Sequence, residues 1–260
     1  MPFPLHSRPA ALDSRSMKAI AIIPARYAST RLPGKPLLAK TGRCLIQHVV
    51  EAVRGARRVE RIVVATDDER IASAVRGFGG EALMTRADHR SGSDRLAEAV
   101  ELLGLADDAI VVNVQGDEPE IPPACVDRLV ELLAGAEAPM ATLVTPLSAE
   151  RAGDPNRVKA VLDADGRAMY FSRAPIPHDR DGDGSAAYKL HLGIYAYRAA
   201  FLKRFAALPP TPAETAEKLE QLRALEHGYT ILAAEVAYDG AGIDTPADYA
   251  AFVRRVLDQG

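Results

Sequence analysis

Three observations predict an α/β fold built on a mostly parallel sheet. Four short β-branched runs, at 18–23, 61–66, 109–114 and 140–147, are apolar along their length rather than alternating, the mark of strands covered on both faces. Segments with apolar residues at helical spacing stand between them, as from Ile46 to Val53. After about Asp154 the texture changes to alternating runs and tight turns, so a smaller antiparallel region is expected over 155–200.

Taken in order, KAIAII (18–23) leads into Pro24 and a loop of Gly, Pro and Ser, and reads as a buried strand. RIVVAT (61–66) is a second, ending at Asp67 and Asp68. Ser91, with Asp94 three residues on, forms a capping box and predicts a helix start. AIVVNV (109–114) is a third strand; a polar turn and a helix from about Pro122 follow it. MATLVTPL (140–147) is the fourth. In parallel sheets ligands gather at the carboxyl ends of strands, so the turns near Arg26, Asp67 and Asp117 are expected to build the site. Further on, RVKAVLD, a turn at 163–166 and RAMYFS read as an antiparallel hairpin, and HLGIYAY (191–197) as another strand. Helices are expected near 198–207 and 215–227. Thr245 as N-cap, Pro246 at the first helical position and Asp248 signal a last helix. The glycine-rich stretch 178–187 carries a D-x-D-G pattern but lacks the closing glutamate of a calcium loop.

With 260 residues the chain can bury one sizeable core. Lys and Arg total 32 against 35 Asp and Glu, a net charge of -3, which gives no electrostatic footprint for a nucleic-acid polymer or an anionic membrane. No run reaches the ~18 apolar residues of a membrane span. Cys44 and Cys125 are too few and too far apart for a disulfide framework, so a reducing cytoplasm is the expected setting. Residues 1–16 hold three prolines and no apolar stretch, which argues against a secretory signal. They are expected to be a flexible extension, with Met17 the alternative start, ahead of a single domain over 17–260.

Chemistry concentrates in three stretches. PARYASTRLPGK (24–35) sets Arg26, Arg31 and Lys35 among Ser29, Thr30 and Gly34, offering backbone N–H groups, hydroxyls and positive charge to a polyphosphate. It is not a Walker A loop: serine stands at 29 where glycine is needed, and Pro36 replaces the metal-binding hydroxyl. A solvated basic turn is the alternative. In VNVQGDEPEIP (112–122), Asp117 follows a buried strand and can hold a hard divalent cation, or it can merely cap a turn. Gly116 points to a close backbone approach or an unusual dihedral. In AGIDTPADY (241–249), Asp244 precedes the capped helix and could share a site with Asp117, or only favour the helix dipole. The histidines show no metal-ligand spacing, and no Ser or Cys sits in a nucleophile pattern.

Together IIPARYASTRLPGKPL, ATDD, MTRADHRSGSDRLAE, VNVQGDEP, PNRVK, YFSRAPIP, HLGIYAYR, LEQLRALE and GIDTP occur in this order, and the set resembles the 3-deoxy-manno-octulosonate cytidylyltransferase (CMP-Kdo synthetase) family from Met17 to the C-terminus. HLGIY and LEQLR separate it from sialic-acid cytidylyltransferases. The resemblance implies a Rossmann-like nucleotide-diphospho-sugar transferase fold, with the sugar side and dimer contacts in the antiparallel region. It also implies CMP transfer from CTP to the anomeric hydroxyl of Kdo, activating the sugar for lipopolysaccharide synthesis. By the same resemblance Arg26, Ser29 and Lys35 hold the CTP phosphates; Arg90, Ser91, Gly92 and Gln115 lie near the cytidine; Asp117 and Asp244 ligate Mg2+; and Arg173, His191, Tyr195, Glu220 and Gln221 line the sugar site. A homodimer, with CTP and Kdo as substrates, is implied too. Two other readings stay open: a cytidylyltransferase for another acid sugar, amino-Kdo or sialic-acid-like, and an inactive nucleotide-binding paralogue.

Overall fold

The computed structural model describes residues 18–28, 32–239 and 242–258; the expected extension and the loop residues Ser29, Thr30 and Arg31 lie outside them. β1 (Ala19–Ala25) carries almost no exposed side chain and runs into the basic loop, which closes in a 3-10 turn at Lys35–Leu37. α1 (Leu45–Arg54) buries Ile46, Val49, Val50 and Val53 on one stripe, as their spacing requires. β2 (Val59–Thr66), α2 (Glu69–Gly77) and β3 (Glu81–Met84) follow. α3 (Gly92–Leu102) starts on the expected capping box, with both the Ser91 and the Asp94 side chains bonded. β4 (Ile110–Asn113), α4 (Pro123–Ala134) and β5 (Met140–Leu147) complete the first half.

A one-turn helix α5 (Ala149–Ala152) leads to the hairpin of β6 (Lys159–Leu162) and β7 (Ala168–Ser172). Its turn depends on Gly166 at φ 77°, a left-handed conformation that favours glycine. β8 (Tyr188–Arg198), α6 (Ala199–Ala207), α7 (Pro212–Glu217), α8 (Gln221–Glu226), β9 (Ile231–Glu235) and α9 (Pro246–Asp258) finish the chain. The single helix expected over 215–227 is two. Lys218 turns left-handed at φ 55° and ends α7. The carbonyls of Glu217 and Lys218 accept hydrogen bonds from the Arg173 guanidinium instead of from a following turn. Leu219, now off the helix, is buried.

Among the described residues a nine-stranded sheet takes the order β3-β2-β1-β4-β8-β5-β9, with the β6–β7 hairpin joined to β8. β1 pairs in parallel with β2 on one side and β4 on the other, β2 with β3, and β5 with β9. Strand order therefore reverses between β1 and β4, and a crevice opens at their carboxyl ends. β8 runs antiparallel between β4 and β5, so the antiparallel region is woven into the main sheet. One core packs α1 and α4 against a face of the sheet, and a second packs α3 and α6 against the other. Burial on both faces is why the strand sequences do not alternate. No helix among the described residues is long and apolar enough to cross a membrane.

Candidate active site

The crevice between β1 and β4 opens into a cavity of about 430 Å³ lined by Pro24, Arg26, Lys35, Gly92, Gln115, Gly116, Asp117 and Asp244. Gly116 is needed by close approach: a Cβ there would lie 2.9 Å from the Pro24 carbonyl oxygen, which cannot move without β1. At the centre stands Lys35. Its Nζ donates to Asp117 Oδ2 at 2.8 Å, to the Ile243 carbonyl at 2.9 Å and to Asp244 Oδ1 at 3.3 Å. An ammonium has three donors, and here each has an oxygen. The two aspartates, which the sequence allowed either to share a site or to serve only their own turns, thus meet around one ammonium. Arg26 is anchored differently, donating from Nη2 to the carbonyls of His89 (2.8 Å) and Ser91 (2.9 Å), which ties the basic loop to the turn before α3. Ser29 lies outside the described residues.

Two carboxylates and a carbonyl converging on one positive charge form a donor set suited to a hard divalent cation. Magnesium takes one or two protein carboxylates and completes its shell with phosphate oxygens and water. No group of three or more His, Cys, Asp or Glu side chains that could hold a metal exists among the described residues, so an all-protein cage is not what this site offers.

Sequence reasoning passed over Glu118, although it follows Asp117 directly. It accepts a 2.8 Å bond from the Tyr238 hydroxyl. Burial, then the charges of Asp117 and Asp244, push its carboxyl up to about 7 against the pull of Tyr238. The turn at Asp67, expected to contribute, lies off the cavity; Asp67 instead pairs at 3.0 Å with the fully buried Arg95. Of the cytidine-side residues, Gly92 and Gln115 line the cavity. Arg90 and Ser91 border a larger cleft of about 570 Å³ on the far side of α3. In its wall Arg86, Lys203 and Arg223 pair with Asp88, Asp107 and Glu214.

Of the residues expected at the sugar site, His191 and Tyr195 stand on β8, the next strand over, Arg173 follows β7, and Glu220 and Gln221 open α8. β8 bulges where Thr142 faces Tyr195 but Leu143 faces Leu192, leaving Gly193 and Ile194 without partners on β5. The Thr142 hydroxyl lies 3.1 and 2.9 Å from the carbonyls of Leu192 and Ile194 and fastens the bulge. Gln115 Nε2 donates to the Gly193 carbonyl at 3.3 Å, so a nucleotide-side residue touches the sugar-side strand. His191 contacts Thr142 at 3.1 Å and lies edge-on to Phe171 and tilted against Tyr195; burial pushes its imidazole down to about 3, so the ring is neutral. Burial likewise raises the Tyr195 hydroxyl well above its ordinary range. Gln221 is 4% exposed, and its Nε2 has no partner among the described residues. An orphaned buried amide is costly unless something else bonds it. Arg173 spends donors on the carbonyls of Glu217, Pro155 and Lys218, bracing the turn between α7 and α8. One hydrogen remains on each terminal nitrogen.

A basic loop facing paired aspartates at a switch-point crevice, beside an inserted antiparallel strand that carries His191 and Tyr195, defines a sugar nucleotidyltransferase of the cytidylyltransferase class. The family model described as Cytidylyltransferase matches residues 20–231. The 3-deoxy-manno-octulosonate cytidylyltransferase of Syntrophobacter fumaroxidans is 55% identical over 240 residues, 91% of this chain and 96% of that protein. That of Serratia proteamaculans is 52% identical over 250 residues, 93% of this chain and 98% of that one. A solved structure of CMP:2-keto-3-deoxy-manno-octonic acid synthetase complexed with CTP superposes with a TM-score of 0.88 at 45% identity, covering 94% of this chain and 100% of that one. The chain belongs to the 3-deoxy-manno-octulosonate cytidylyltransferase family.

Proposed function

We propose that this chain transfers CMP from CTP to the anomeric hydroxyl of Kdo, giving CMP-Kdo and pyrophosphate, with the residues above in the following roles. The observation that carries the assignment of roles is the meeting of Lys35, Asp117 and Asp244 in the crevice, with β8 and its polar cluster as the next strand. The anomeric oxygen attacks the α-phosphorus in line; the bond to the bridging oxygen breaks, and pyrophosphate leaves with the electron pair. Lys35 and Arg26, with Ser29, neutralise and orient the phosphates. Arg90, Ser91, Gly92 and Gln115 hold the cytidine. Arg173, His191, Tyr195, Glu220 and Gln221 hold the sugar, with Arg173 offering its remaining hydrogens to the sugar carboxylate. Asp117 and Asp244 would hold magnesium, which would supply Lewis-acid polarisation of phosphate oxygens and of the attacking hydroxyl. Positioning and charge neutralisation do most of the work, as in phosphoryl transfer generally.

A homodimer is part of the proposal. Its support is β7, which leaves Met169 63% and Tyr170 39% exposed on the hairpin beside β8. A cytoplasmic setting accords with the free thiols Cys44 and Cys125. The test is pyrophosphate release against Kdo, amino-Kdo and a sialic acid. Release that needs both CTP and Kdo, stops in excess EDTA and returns with magnesium is the expected result. A clear preference for another sugar, or undiminished release in EDTA, would overturn the sugar or the metal assignment respectively.

A further inference from the structure

We propose that Ser93 is a positioning residue that holds the Glu220 carboxylate toward the sugar and ties the sugar wall to the nucleotide-side helix. The inference rests on the reading that Glu220 faces the sugar. Ser93 is the second residue of α3 and is 4% exposed. Its Oγ donates to Glu220 Oε2 at 2.7 Å, across 127 residues of sequence. The other carboxylate oxygen has only a long contact, 3.4 Å from Arg223 Nη2, and Arg223 is committed to Glu214 through two shorter bonds. Ser93 is therefore the firm hold on Glu220.

The local backbone explains why a hold is needed. Glu220 stands at the N-cap of α8, two residues after the left-handed Lys218, in an irregular turn that does not fix its side chain. Beneath, the buried Tyr197 lies on β8, its ring beside that of Tyr195. Burial, and next the charge of Glu220, raise the Tyr197 hydroxyl far above its ordinary range, so it stays protonated. An ionised carboxylate is acceptor-only, and the lone pairs that Ser93 leaves unused can take sugar hydroxyls.

The same turn of helix serves the nucleotide. Gly92, one residue before Ser93, lines the crevice, and the capping box of Ser91 and Asp94 locks the turn. One helix start thus presents its backbone to the nucleotide cavity and a hydroxyl to the sugar wall.

The test measures pyrophosphate release by the full chain for Ser93→Ala, Ser93→Thr, Glu220→Gln and the Ser93→Ala/Glu220→Gln double variant, with Kdo and CTP varied in turn. Calorimetry gives CTP affinity without sugar, and melting temperature checks the fold. Ser93→Ala should raise KM for Kdo about tenfold, the worth of a hydrogen bond to a charged group, with CTP affinity within about twofold of wild type. Ser93→Thr keeps the hydroxyl and should recover most of that loss. Glu220→Gln should also raise KM for Kdo, and Ser93→Ala should add nothing in its background, as expected for residues acting as one unit. If Glu220→Gln raises KM for Kdo but Ser93→Ala does not, the positioning role falls while Glu220 stays in the sugar site. Unchanged KM for Kdo in Glu220→Gln removes Glu220 from the sugar site, and the inference with it. A lowered melting temperature with equal losses for CTP and Kdo in Ser93→Ala would make Ser93 a packing residue only.

Discussion

Replacing Lys35 with methionine removes the positive charge from the centre of the crevice while keeping most of the side-chain volume. The oxygens of Asp117 and Asp244 sit 2.8 and 3.3 Å from Nζ, hence at most about 6 Å from each other. Two like charges at that separation repel by about 0.7 kcal/mol in bulk water and about 3 kcal/mol at an effective dielectric of about 20. The side chains of Asp117 and Asp244 are 27% and 44% exposed, which favours the lower end, so about 1 kcal/mol is the expected cost without nucleotide or metal. For a chain of this size that is a fall of about 2–4 °C in melting temperature. In wild type the ammonium competes with any divalent cation for these oxygens. In Lys35→Met it does not, so magnesium should raise the variant's melting temperature more than the wild type's. The assay is a thermal melt of nucleotide-free protein in EDTA and in millimolar magnesium. Added sodium chloride should narrow the gap in EDTA. Equal melting temperatures in EDTA, or an equal response to magnesium, would refute the account of Lys35 as the charge that holds the two carboxylates together.

Asp117→Asn and Asp244→Asn should each lower kcat by about a hundredfold or more with little change in melting temperature. The double variant should lose less than the product of the two, because the residues act as one unit; multiplicative losses in single-turnover kinetics would separate them. Gly116→Ala forces a methyl against the Pro24 carbonyl and should destabilise the fold by about 1–3 kcal/mol in urea while weakening CTP binding; unchanged values for both would mean the turn yields freely. His191 is held neutral down to about 3, whereas the unfolded chain protonates it near 6.5, so its stabilising contribution is complete above that pH and lost as pH falls toward 3. His191→Gln should therefore flatten the decline in melting temperature between pH 7 and 5, and an unaltered slope would show that His191 does not carry it.

The two-sided burial of β1, β2, β4 and β5 was legible because it writes itself as unbroken apolar runs, and the caps of α3 and α9 because they are local chemistry. β3 and β9 were not legible. EALM is only half-buried at the sheet edge, and ILAAE carries alanines where a strand signal would want branching. The break between α7 and α8 was invisible for another reason: it depends on Arg173, 45 residues earlier than Lys218. The site shows the same division. Asp117 and Asp244 each stood out as a turn aspartate, but their meeting at Lys35 spans 82 and 209 residues, which no local pattern encodes. Their position after strands and before helices allowed a shared site, and the family resemblance favoured it. Ser93 stayed hidden behind the capping serine two positions before it.

The insertion of β8 between β4 and β5 limits how this enzyme can change its choice of sugar. A strand bonded on both sides is registered residue by residue, and a slip of one position would turn His191 and Tyr195 away from the pocket and disturb the pairing of β4, whose end positions Gln115. Side chains on β8 can be exchanged, but their stations are fixed by the same pairing that shapes the nucleotide crevice. The other proposed wall, the turn from α7 to α8, is held by side chains such as Arg173 and Ser93 rather than by sheet pairing. Acceptor preference in this architecture should therefore drift through that passage, around Lys218 to Gln221, while the β8 wall stays as a fixed template.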